Sequence, residues 1–150
     1  MASTEINLVD IDEELVENLW NRIADSGGFY SIGDGVTREH FRAMLFSSSL
    51  AMMSDEVFLR FEVKEDFNEM HPLIFSHKAF DKPEASLQRA YSLGLGVFRN
   101  LPLCCIIPNR MKGLKRLAQK AEMVHSSYIV RNLTGESISC SVYLWRPKYV

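Results

Sequence analysis

The chain has 150 residues, 47% of them hydrophobic and 24% charged, with a formal charge of −2; this is the length and composition of one globular domain, residues 1–150, large enough to bury a single core. That balance excludes a protein held to nucleic acid by its overall charge, and no apolar run approaches the roughly 18 residues of a membrane span. Three cysteines, two of them adjacent in an apolar run (Cys104, Cys105), make no disulfide framework, and an acidic N-terminus makes no signal or transit peptide, so the expected setting is a cytosol or a particle released from one.

Residues 5–9 predict a short strand. Asp10 or Asp12 can cap a helix that runs to about Asp25, with Leu15, Leu19 and Ile23 on one stripe and Gly27-Gly28 ending it. Ser31 to Val36 reads as a loop, and Thr37 caps a second helix through about Phe46. Residues 50–53 and 57–63 form a hairpin around Ser54-Asp55-Glu56; the second arm alternates Val57, Leu59, Phe61, Val63 against Arg60, Glu62, Lys64. A further strand spans 67–75, where Pro72 demands a bulge or an unpaired position. Asp81-Lys82-Pro83-Glu84 reads as a helix start with Asp81 as cap and Glu84 closing a capping box, for a helix through Phe98. A strand at 103–107, a helix at 110–122 with Asn109 as its cap, a strand at 128–132, a turn at Thr134-Gly135 and a strand at 137–145 complete the chain. The order is β-α-α-β-β-β-α-β-α-β-β, an α+β class on a mixed sheet in which helix crossovers join parallel neighbours.

Several side chains in this frame could carry chemistry. His71 on a central strand could act as a general base near neutral pH, and Glu69 shares its face and could orient it or serve as base; the alternative is a His-Pro that shapes a bulge and bonds locally. Neither His71 nor His77 pairs with Cys or carboxylates at metal-ligand spacing, so no metal is expected. Between Ala85 and Ala121 there is no Asp or Glu, while Arg89, Arg99, Arg110, Lys112, Lys115, Arg116 and Lys120 all occur. That is either a basic face for an anion or a solvated helix face; the slightly negative whole-chain charge favours the latter and argues against nucleic acid. Gly94 and Gly96 lack the spacing of a dinucleotide fingerprint and read as close packing or helix fraying. Met44, Met52, Met53 and Phe46 read as core.

The element order, with His71-Pro72 in the central strand, Ile107-Pro108-Asn109 at the strand-to-helix corner and Leu144-Trp145-Arg146 closing the last hairpin, resembles the acyl-CoA N-acyltransferase (GNAT) fold over nearly the whole chain: a mixed, mostly antiparallel sheet flanked by helices. Within it the chain is similar to a divergent branch encoded by tailed bacteriophages, some of whose members serve in head assembly or inside the virion. The resemblance implies a coenzyme A thioester in the splay between two central strands. Glu69 or His71 would then remove the amine proton, and Phe75, Lys82, Ser86, Asn109 and Arg116 would hold the coenzyme. Two family features are missing. The Arg/Gln-x-x-Gly-x-Gly/Ala phosphate loop is replaced by Lys82-Pro83-Glu84-Ala85-Ser86-Leu87, where Pro83 removes an N–H and Glu84 brings a carboxylate. The Tyr that serves as general acid is replaced by Arg116 and Leu117. The expectation is therefore a catalytically degenerate phage accessory protein. It would need no cofactor, make contacts with other head or virion proteins or with itself, and reside in the host cytoplasm or the virion. The competing expectations are an active N-acetyltransferase using acetyl-CoA and an anion- or nucleic-acid-binding module.

Overall fold

The computed structural model describes residues 5–26, 36–133 and 135–148. Among these residues seven strands form one sheet in the order β1-β2-β3-β4-β5-β7-β6, with β1 at Asn7–Leu8, β2 at Leu50–Met53, β3 at Val57–Val63, β4 at Asn68–Ile74, β5 at Leu103–Pro108, β6 at Val124–Leu133 and β7 at Glu136–Trp145. Every neighbouring pair is antiparallel except β4 and β5. Helices α1 (Glu13–Ser26) and α2 (Arg38–Phe46) cover one face; α3 (Pro83–Leu93), the single turn α4 (Leu95–Phe98) and α5 (Lys112–Lys120) cover the other. This is the expected mixed, mostly antiparallel α+β architecture. Among the described residues no helix is long and apolar enough to cross a membrane.

The strand period of two sorts the side chains between two cores. Leu59, Phe61, Met70, Ile74, Cys105, Ile107, Tyr143 and Trp145 face α3 and α5, while Ala51, Phe58 and Leu73 face α1 and α2 with Val16, Leu19, Phe41 and Leu45. The caps expected for the first two helices form: the Leu15 N–H donates to Asp12 Oδ1 at 2.8 Å and the His40 N–H to Thr37 Oγ1 at 3.2 Å. Gly27-Gly28 and most of the loop at 31–36 lie outside the described residues. Cys104, Cys105 and Cys140 are buried free thiols.

The third helix departs from expectation at both ends. Lys82 precedes α3 without a side-chain cap, so Asp81 caps nothing and the capping box does not form. Asp81 instead closes a 3-10 turn at His77–Phe80, in helical conformation with its N–H on Lys78 O, which denies it the extended geometry a cap requires. The C-terminal end breaks at Gly94, where an added Cβ would stand 2.5 Å from the Phe98 ring; α4 then folds Phe98 into the core, between Phe61 and Tyr91. Arg99 and Asn100 turn the chain in the left-handed region (φ 54° and 59°). The buried Asn68 side chain donates to Phe98 O at 3.0 Å and Leu101 O at 3.2 Å, and Tyr91 Oη donates to Leu101 O at 2.8 Å. These bonds fasten the crossover to the base of β4, where β5 begins.

Asn109 is not the cap of α5. Its N–H donates to Ser139 O at 2.9 Å and its Oδ1 accepts from Ser141 Oγ, so β7 holds it and Met111 precedes the helix without a side-chain cap.

Candidate active site in the parting of two strands

β4 and β5 pair only at Asn68↔Leu103 and Glu69↔Cys104 and then part. Successive N–H groups of a strand point alternately to its two neighbours. The Phe75 N–H donates to Glu56 O on the β3 side, at 2.8 Å, and the Asn68 N–H to Pro102 O on the β5 side, at 2.9 Å. By that alternation Met70 turns its amide toward the last paired residues of β5, and Pro72 and Ile74 turn their amide positions toward the parting. Pro72 therefore needs no bulge: it stays in register opposite Leu59 and its missing N–H faces the side that has no partner strand there.

On the α1/α2 face, beside the closed end of the parting, a charged cluster forms. Arg60 lies opposite His71 and Glu62 opposite Glu69 in the β3–β4 ladder, and Arg131 arrives from β6. Glu69, only 3% exposed, accepts from Arg131 Nη2 at 2.7 Å. His71 Nε2 lies 2.8 Å from Glu62 Oε2 and 3.5 Å from Glu69 Oε1, and Arg60 Nη1 lies 3.3 Å from Glu62 Oε2. Burial and the neighbouring Arg60 lower the His71 pKa, against the pull of both carboxylates. Burial tends to raise the Glu62 pKa, but Arg60 and His71 outweigh it and hold it below its ordinary value. The Glu62 carboxylate 2.8 Å away favours a proton on Nε2 of a neutral His71, although the contact lacks hydrogen-bond geometry. Nδ1 is then left as an acceptor. A neutral imidazole oriented by carboxylates is a competent proton acceptor. The ligand atoms of Glu62, Glu69 and His71 lie within 4.8 Å of one another, a set that could hold a cation, but Arg60 and Arg131 already neutralise the two carboxylates.

The opposite face carries an apolar cavity of about 60 Å³ under α3 and α5, walled by residues of both parting strands, among them Met70, Pro72, Ile74, Cys105 and Ile107. Farther along α5 lies a groove of about 460 Å³ lined by Asn109, Lys112, Lys115, Arg116 and Gln119. Lys112, Lys115, Arg116 and Gln119 recur at helical spacing on one stripe. At the start of α3, Pro83 lacks an N–H, the Ser86 N–H is used by Lys82 O at 3.2 Å, and Glu84 is bound by Lys148 Nζ at 2.5 Å. Lys148 also holds Glu122 at 2.6 Å, so the C-terminal segment ties the start of α3 to the end of α5.

The residues singled out in the sequence thus fall in several places. Glu69 and His71 meet; Asn109 and Arg116 share the α5 groove; Ser86 joins the wall of the apolar cavity. Lys82 is exposed ahead of α3. Phe75 belongs to the α1/α2 side, its ring 3.8 Å from the Arg22 guanidinium. The side chain of His77 lies outside the described residues. Sequence reasoning missed Glu62, Arg60 and Arg131. The first two were legible from the β3–β4 pairing, whereas Arg131 comes from a strand two places beyond β4's neighbour and left no sequence signal.

No known protein family matches the chain, and no curated protein sequence does. Solved structures do. A GNAT-family acetyltransferase from Bacillus anthracis superposes with a TM-score of 0.70 over 96% of both chains at 13% identity. The acetyltransferase from Salmonella typhimurium that modifies the N-terminal serine of ribosomal protein L7/L12 gives 0.70 over 96% of both chains at 12%. The microcin C7 self-immunity acetyltransferase MccE, solved with acetyl-CoA and AMP, gives 0.69 over 95% of this chain and 93% of its own, at 12%. The fold is that of the GNAT acetyltransferases.

Proposed function

We propose that the chain is an acyl-CoA-dependent N-acyltransferase. The observation that carries this reading is the parting of β4 and β5 immediately beyond Glu69↔Cys104, with the His71 cluster on one face of it. The amine nitrogen attacks the thioester carbonyl in the parting. The N–C bond forms, the C–S bond breaks, and the proton that the nitrogen must shed as it becomes cationic in the addition passes to His71 Nδ1, directly or through one water, while Glu62 and Glu69 stabilise the imidazolium. The thiolate takes a proton from solvent. The backbone N–H of Ile74 is the donor on β4 that alternation leaves for the carbonyl oxygen. Asn109, Lys115 and Arg116 fit the polar arm and phosphates of the coenzyme, taking up the part that Pro83 and Glu84 give up at the start of α3. Calorimetry with acetyl-CoA and desulfo-CoA tests the reading: micromolar binding is expected, and no binding at millimolar ligand would overturn it.

A second reading is motivated by a separate observation. The outer edge strand β6 exposes Val124, Tyr128 and Val130 by 68%, 70% and 64%. In this reading the chain is a catalytically silent accessory protein of phage head or virion assembly, working in the host cytoplasm or inside the particle through contacts of that edge with other virion proteins or with itself. Lack of an acyl-CoA site together with co-purification with particle proteins would favour it. A gene neighbourhood of unrelated metabolic enzymes would sink it.

A further inference from the structure

The acyl group has to lie where β4 and β5 separate, because that is where an inserted thioester finds unpaired strand. Its amine side is the face of His71 and Glu69. Its other side opens on the apolar cavity beneath α3 and α5. Resting on the N-acyltransferase reading, we propose that this cavity is an acyl-chain pocket and that the donor carries a short unbranched acyl group of about four carbons, butyryl rather than acetyl.

Three observations set the class. The wall is made of Met70, Ile74, Ile107, Leu114 and their apolar neighbours, with the Ser86 hydroxyl and the Cys105 thiol its only polar side chains among the described residues. Burial pushes the Cys105 thiol up to about 12, so it stays neutral and behaves as a small hydrophobe. Succinyl or malonyl groups are thereby excluded, since their carboxylate would be buried without a partner. Volume then sets the length. A protein cavity of about 150 Å³ holds a benzene ring, so about 60 Å³ takes on the order of two or three carbons beyond the carbonyl region. An aromatic acyl group does not fit, and an octanoyl chain runs out of space.

The test is a series of acetyl-, butyryl- and octanoyl-CoA, measured by calorimetry and by thiol release with a panel of small primary amines and a peptide. Butyryl-CoA is expected to exceed acetyl-CoA by about tenfold or more in kcat/KM or affinity, the size of two buried methylenes, with octanoyl-CoA below both. Ala118→Leu narrows the cavity and is expected to reduce the butyryl-to-acetyl ratio about tenfold. Ile107→Val, a conservative change that keeps the core apolar, is expected to move the optimum toward five carbons. A preference for acetyl-CoA, or an octanoyl-CoA that works as well as butyryl-CoA, overturns the pocket while the acyltransferase reading stands. Failure of every thioester and of desulfo-CoA to bind at millimolar concentration overturns the acyltransferase reading and the pocket with it.

Discussion

His71 shows how a single residue takes its chemistry from its neighbours. Burial and Arg60 favour its neutral form. A group whose pKa is lower in the folded than in the unfolded chain stabilises the fold above its unfolded value, and that contribution is lost as the pH falls through the folded value. The melting temperature is therefore expected to decline as the pH drops from about 6.5, the unperturbed histidine value, and His71→Gln is expected to flatten that limb in a thermal-shift series across pH 4–8. In the acyltransferase reading the same substitution lowers kcat by roughly a hundredfold or more and removes the acid limb of the rate profile. Glu69→Gln removes the anionic partner of Arg131 while keeping the side-chain volume. Chemical denaturation should report a loss of about 1–3 kcal/mol, and the His71 acid limb should move to lower pH because a carboxylate that favours the imidazolium is gone. Glu69 and His71 were legible from their period-two spacing on one strand, and Glu62 and Arg60 become so once the hairpin register is known.

At the scale of the element, the crossover between β4 and β5 governs whether the parting exists. Phe98, fully buried between Phe61 and Tyr91, anchors the one-turn helix whose last carbonyl holds Asn68. Phe98→Ala is expected to cost about 3–5 kcal/mol, read as a large fall in the urea midpoint. Gly94→Ala brings a methyl within 2.5 Å of the Phe98 ring and 2.9 Å of Leu50 Cδ2. Overpacking of that kind is expected to cost about 1–3 kcal/mol, so glycine here is a steric requirement of packing. The strands β2 and β3 were readable to the residue because β3 alternates cleanly and Ser54-Asp55-Glu56 marks the turn between them. The ends of α3 and α5 were not, because competing partners decided them: the 3-10 turn took Asp81, and β7 took Asn109.

For the whole molecule, the sheet separates two faces at one opening, charged toward α1 and α2 and apolar toward α3 and α5. A ligand bound to the folded chain alone stabilises it by about 2.7 kcal/mol at a hundredfold excess over Kd. For a chain of 150 residues that corresponds to a rise in Tm of roughly 5–10 °C. In the acyltransferase reading, differential scanning calorimetry with an acyl-CoA should show that rise, and should show it shrinking with added salt, because in that reading Lys112, Lys115 and Arg116 supply the attraction through an exposed groove. Lys112→Glu with Arg116→Glu is expected to abolish most of the rise while leaving the ligand-free Tm within about 2 °C.

The sequence by itself determined the element order, the α+β class, two helix caps and the pairing of Glu69 with His71 on one face, because caps and hydrophobic periods are local and repeat at short spacing. It also carried the resemblance to the GNAT fold, which the superpositions bear out. Only the tertiary structure decided what those residues face. Arg131 reaches Glu69 across the sheet, Pro72 sits in register because no strand lies beyond it at that point, and the basic stripe of α5 lines a groove with Asn109. Each of these depends on which strands become neighbours and where they part. That is a property of chain closure over tens of residues, and no short window of sequence contains it.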